Sequence, residues 1–147
     1  MNKAALTFFT MSFLLFAILQ MGIKISVKAN SDIIYVPTHY PTIQKAINKA
    51  NEGDTIYVGA GIYQENVVVN KTVLLIGENK LTTIIDGNKT GNALYVITNN
   101  VTVSNFTITN SQRTFYGIYA NSSNNVFLNN IISENGWGIY LHGSRNN

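Results

Sequence analysis

Within the repeated stretch of this chain, Asp86 and Glu134 are the carboxylates to weigh for acid–base chemistry, and they fall on different repeats. Ester hydrolysis needs a nucleophile, a general acid and an oxyanion donor within a few ångströms of one another. Two carboxylates on separate repeats do not supply that set. His39 and His142 are the two histidines, far apart along the chain, whereas a transition-metal site normally gathers three or four convergent ligands. His142 reads as a turn residue. The chain has no cysteine, so it holds neither a disulfide framework nor a thiolate site. No catalytic residue, metal or cofactor is therefore assigned.

The positive feature is aromatic. Tyr95, Tyr119 and Tyr140 recur at one position of successive repeats, each flanked by apolar neighbours, so the three rings point outward in a column. Spaced about 4.8 Å apart, they would offer a flat aromatic face to a sugar. The competing explanation is that tyrosine is a good strand residue and that its stacking only steadies the sheet.

The repeat that positions these rings is explicit. Tyr116-Gly117-Ile118-Tyr119 returns 21 residues later as Trp137-Gly138-Ile139-Tyr140. Leu94-Tyr95-Val96 and Val67-Val68-Val69 take the same place in earlier copies and define a strand a. Strand b is read at Val73-Leu74-Leu75, Val101-Thr102-Val103 and Val126-Phe127-Leu128. Strand c is read at Ile56-Tyr57-Val58, Thr83-Ile84-Ile85, Phe106-Thr107-Ile108 and Ile131-Ile132-Ser133. Each shows period-two alternation bounded by Asn, Gly and Ser. A single coil cannot bury its apolar face, but stacked coils make a continuous core. The fold class is thus all-β, a right-handed parallel β-helix of about four coils. Asn105 and Asn130 follow strand b at the same offset, which predicts a ladder of stacked amides at one corner.

Residues 1–29 read as a signal peptide or an uncleaved membrane anchor: a basic start at Lys3, an apolar run over 4–23, and small residues at Val27-Lys28-Ala29. A run of this length can span a bilayer about 30 Å thick, and contact with a membrane is expected only through it. The location is accordingly secreted, periplasmic or cell-surface. Beyond the leader, seven basic and seven acidic residues balance, so the basic pI of 9.2 gives no argument for nucleic-acid binding. One helix is expected over 42–50, with Thr42 as N-cap and Ile43, Ala46, Ile47 and Ala50 on one face. It ends at Gly53 and caps the open N-terminal end of the first coil, turning Gln44, Lys45, Asn48 and Lys49 to solvent.

From Tyr40 onward the chain resembles a known superfamily. The stretches Tyr40-Pro41-Thr42-Ile43-Gln44-Lys45-Ala46-Ile47, Gly53-Asp54-Thr55-Ile56-Tyr57-Val58 and Gly61-Ile62-Tyr63-Gln64-Glu65-Asn66-Val67 resemble the opening of pectinesterases and other pectin-lyase-like right-handed β-helices. The later Gly-Ile-Tyr coils resemble repeats of the NosD family, periplasmic accessory proteins of nitrous oxide reductase, and of archaeal and bacterial surface proteins. Together these resemblances cover about residues 38–147. No Gln-Ala precedes the Leu94 strand, where a pectinesterase would place one, and neither the Asp set of polygalacturonases nor the Ca²⁺-binding carboxylates of lyases is found. The expected function is a non-catalytic module that binds or displays carbohydrate, with a polysaccharide or surface glycan as partner. The alternatives are the N-terminal part of a polysaccharide-active enzyme whose catalytic residues lie beyond Asn147, and a NosD-like role in metal-centre assembly. Asn70, Asn88 and Asn121 are sequon asparagines in turns and are the glycosylation candidates; Asn105 would be blocked by its ladder. The last coil stops before its strand b. Residues 30–147 therefore read as the N-terminal portion of a longer β-helix, whose further coils would be its partner and without which it would fray from residue 137 and self-associate.

Overall fold

The computed structural model describes residues 31–147, so the expected leader and its apolar run at 4–23 lie outside the described residues. Alternation of buried and exposed positions produces thirteen short strands: β1 (Ile33–Val36), β2 (Thr55–Val58), β3 (Gly61–Gln64), β4 (Val67–Val69), β5 (Leu74–Gly77), β6 (Thr83–Asp86), β7 (Leu94–Val96), β8 (Thr102–Ser104), β9 (Thr107–Thr109), β10 (Tyr116–Ala120), β11 (Val126–Leu128), β12 (Ile131–Ser133) and β13 (Trp137–Leu141). They form three parallel sheets: sheet I in the order β1-β2-β5-β8-β11, sheet II in the order β3-β6-β9-β12, and sheet III in the order β4-β7-β10-β13. The fold is a parallel β-helix. Sheet I holds five strands, which gives about five turns rather than four.

Inward residues stack coil upon coil. Ile56, Leu75 and Val103 align in sheet I, Ile85 and Ile108 in sheet II, and Val67, Leu94 and Ile118 in sheet III. All are fully buried, as is Phe106, and each such aliphatic side chain contributes about 1.5–3 kcal/mol.

Strand a lies where the sequence predicts it in every coil, whereas strands b and c differ, with Ile131 in sheet II pairing with Thr107 and not Phe106. Thr55–Val58 lies in sheet I, between β1 and β5, and not in the strand c position. The first strand of sheet II is β3, after a two-residue corner at Gly59-Ala60 that is closed by Gly59 N–H to Val36 O at 2.8 Å and Ala60 N–H to Glu78 Oε2 at 2.8 Å. Val126 pairs with Thr102, not Val101. That one-residue slip exchanges faces: Phe127 packs on the core, and Val126 and Leu128 point outward, 49% and 61% exposed. The amide ladder shifts with it. Asn105 Oδ1 accepts from Asn129 Nδ2 at 2.7 Å, while Asn130 bonds backbone.

The corners follow a five-residue rhythm. Asn100, Asn105 and Asn110 in one coil, and Asn124, Asn129 and Glu134 in the next, all have left-handed φ between 54° and 64°. Asparagine tolerates this region better than most residues. The residues directly after the second set, Asn125, Asn130 and Asn135, accept through Oδ1 the N–H groups of Val101, Phe106 and Ser111 one coil below, at 3.0, 3.0 and 2.9 Å. Three amides thus anchor the three corners of one coil. Glu134 is the exception in the left-handed set, and a glutamate there costs about 1 kcal/mol. Glu134→Asn is expected to raise the unfolding midpoint in a thermal melt; a lower midpoint would mean that the carboxylate itself stabilises the corner.

Helix α1 (Ile43–Lys49) is capped by Thr42, whose hydroxyl accepts from Lys45 N at 3.2 Å. It buries Ile43, Ala46, Ile47 and Ala50 against β1, β2 and β4. The chain leaves the helix at Ala50, which is extended, three residues before Gly53. Polar groups lock the cap in place. Gln44 pairs with the free edge of β4, receiving Val68 N–H at 2.7 Å and donating to Val68 O at 3.1 Å. Its amide thereby stands in for the missing next strand. Glu65 accepts the N–H groups of Ile43 and Gln44, both at 2.9 Å. Lys71 Nζ donates to Asn48 O and Ala50 O at the other helix end, at 2.8 and 2.6 Å.

Candidate functional site

Sheet III carries the tyrosine column on its outer face. Tyr95, Tyr119 and Tyr140 are in register, because strand alternation turns Leu94, Val96, Ile118 and Ala120 inward. Ring centroids lie 5.0 Å apart for Tyr95–Tyr119 and 5.5 Å for Tyr119–Tyr140, the latter pair within 5° of parallel. Tyr116, absent from the expected column, stacks at 4.8 Å on Tyr140 and 5.6 Å from Tyr119. The rings lie over one another, so much of each face is covered by its neighbour.

Open aromatic surface remains where the stack meets the corner between sheets II and III. Two successive corners there are long, residues 87–93 and 110–115, and connecting segments of this kind are where binding groups usually sit. A groove of about 240 Å³ is lined by Asn92, Thr114, Phe115, Tyr116, Tyr119 and Tyr140, with Phe115 and Tyr140 39% and 41% exposed. Asn92 Oδ1 accepts Tyr116 N–H at 2.9 Å, which fixes the amide with its Nδ2 free of protein partners among the described residues. Rings beside an amide and a hydroxyl suit a polyol whose CH face stacks while its OH groups bond. Among the described residues no carboxylate lines this groove. A second, polar groove of about 520 Å³ lies at the same corner, with Lys89, Gln112, Arg113 and Glu134 in its wall. Sequence reasoning missed Asn92, Phe115 and the corner residues, since only the fold brings the corners beside the column.

Most of the carboxylates have structural partners. Asp54, buried, accepts N–H from Asp32 at 2.9 Å and Asn51 at 2.7 Å; Glu52 accepts from Thr72 at 2.6 Å. Glu78, left out of the sequence argument, holds the Gly59-Ala60 corner. Asp86 accepts Asn88 N–H at 2.8 Å and Asn110 Nδ2 at 3.1 Å. Asp86 aligns with Thr109 and Thr109 with Ser133, so Glu134 stands one position on and two coils away. Two strand spacings, about 10 Å, separate those positions. The histidines sit at opposite ends of the solenoid: His39 Nδ1 accepts Tyr35 N–H at 3.2 Å, and His142 pairs with Asn121 Oδ1 at 3.2 Å. Among the described residues no three His, Asp or Glu side chains gather as a metal site. Asn70, Asn88 and Asn121 are exposed, Asn121 being engaged by His142.

Burial, followed by the neighbouring phenols Tyr95, Tyr140 and Tyr116, pushes the Tyr119 phenol above its ordinary value. Tyr63 is raised too, by burial and then by Glu65 and Glu78. A folded-state value above the unfolded one means that the folded chain holds the proton more tightly. The corresponding stability is fully present below about pH 10, the ordinary tyrosine value, and is lost as pH rises through the raised one. Phenolate absorbance should therefore develop late for Tyr119; Tyr119→Phe should remove the late step. A Tyr119 that titrates with the exposed tyrosines would refute the coupling.

No family model matches the chain. Over 60 residues it is 43% identical to the probable pectinesterase/pectinesterase inhibitor 6 of Arabidopsis thaliana, a stretch covering 35% of this chain and 11% of that protein. The chain thus matches about a tenth of the length of this curated relative. Among the described residues no helix is long and apolar enough to cross a membrane. The parallel solenoid with its capping helix and the pectinesterase match together fit the pectin-lyase-like β-helix superfamily.

Proposed function

We propose that this chain is an exported or cell-surface β-helix module that holds carbohydrate on sheet III without cleaving it. The observation that carries this reading is the aromatic groove beside the tyrosine stack, with Asn92 and Thr114 next to Phe115 and Tyr140 and no carboxylate among the described residues of its wall. Such a site grips a sugar ring and offers nothing to attack its linkage. A glycan array probed with the wild-type protein and Tyr119→Ala tests it. Binding that falls about tenfold in the variant, as expected for losing one aromatic contact worth about 1.5 kcal/mol, supports the site. No binding above background, or binding unmoved by the substitution, removes it.

The likeness to a probable pectinesterase favours a second reading, in which the chain is part of a polysaccharide-active enzyme with its catalytic groups outside these residues. Two carboxylates in register on adjacent coils of the complete gene product would decide for it, and their absence would decide against it.

A further inference from the structure

Asn135-Gly136 is the single Asn-Gly step in the 147 residues. Both residues are dictated by packing. Asn135 Oδ1 accepts Ser111 N–H at 2.9 Å and its Nδ2 donates to Ile108 O at 2.9 Å. Gly136 runs so close to the coil below that a Cβ would overlap the Arg113 carbonyl, and its N–H donates to Ser111 Oγ at 3.0 Å. The same pair is chemically fragile when free. With no side chain on Gly136 to hinder it, its backbone nitrogen can attack Asn135 Cγ: the N–Cγ bond forms, the nitrogen loses its proton, and ammonia leaves with the side-chain nitrogen. Water then opens the resulting succinimide at either carbonyl to give aspartate or isoaspartate.

We propose that Asn135 is a latent deamidation site, held silent by the folded coil and released when that coil opens. Three contacts enforce the silence: both ends of the amide are engaged, and the attacking nitrogen is turned to Ser111 Oγ. Reaction replaces Nδ2 with an oxygen facing the Ile108 carbonyl, which makes the opening irreversible. The loss falls on the corner that leads into β13 and therefore on Tyr140 of the ring stack.

The test is peptide mapping of the full chain after incubation at mildly alkaline pH, folded and in denaturant. Asp and isoAsp at position 135 should form about tenfold or more faster in denaturant, as for any reaction gated by local opening. Ser111→Ala, checked for a native fold by circular dichroism, should react several-fold faster than wild type under folding conditions. Hydrogen exchange on Asn135→Asp should show reduced protection across β13. Equal rates folded and unfolded, or no product at Asn135 in the denatured chain, would overturn the site. Unchanged β13 protection in Asn135→Asp would overturn its consequence.

Discussion

Glu65→Ala should lower the unfolding free energy by about 3–6 kcal/mol and release α1 from the end of the solenoid. The carboxylate accepts two N–H groups at the helix start, both at 2.9 Å, and bonds of this charged type contribute about 1.5–3 kcal/mol each. A seven-residue helix has no stability of its own, so once its first turn is unanchored only its apolar face holds it. Glu65→Gln keeps one acceptor and should fall midway. Gln44→Ala, which exposes the Val68 edge, should cost about 1–2 kcal/mol for two neutral bonds. Urea unfolding measures all three, and hydrogen exchange at Val68 locates the damage. If Glu65→Ala unfolds at the wild-type midpoint, the helix is held by Ile43, Ala46 and Ile47 alone.

A second contrast separates two glycines that look alike in sequence. Gly117→Ala should destabilise by about 1–3 kcal/mol, whereas Gly138→Ala should be neutral or slightly stabilising. A Cβ at Gly117 would come within 2.9 Å of both Asn135 Cγ and Ile132 Cγ2. Asn135 cannot swing aside without breaking its bonds to Ser111 and Ile108. A Cβ at Gly138 meets nothing within 4 Å, and alanine there reduces the freedom of the unfolded chain. Thermal melts of the two single variants are sufficient. Equal effects would show that Asn135 is not held as described.

These residues also mark how far sequence reading reaches. The tyrosine column and all of strand a could be read because sheet III alternates cleanly: Leu94, Val96, Ile118 and Ala120 are buried while Tyr95, Tyr119 and Tyr140 face out. Sheet I does not alternate in this way. Leu74, Val126 and Leu128 are outward yet apolar, so either register satisfies the pattern, and the strand b alignment slipped by one residue. The coil length compounds this, since corner lengths vary while strands stay paired: Leu74 meets Thr102 28 residues on, and Thr102 meets Val126 24 residues on.

What the sequence determined by itself was the solenoid, its three strands per coil, the capping helix and the outward rings, because each follows from local periodicity and burial of an apolar face. The tertiary structure alone decided which corner each polar residue would hold. Gln44 and Glu65 became fasteners for the cap, Asn105 paired with Asn129, and Asn92, Thr114 and Phe115 met Tyr140 in a groove. The physical reason is that a corner asparagine or glutamate finds its partner about one coil away, at a separation set by variable corner lengths, and a period-two pattern carries no record of those lengths.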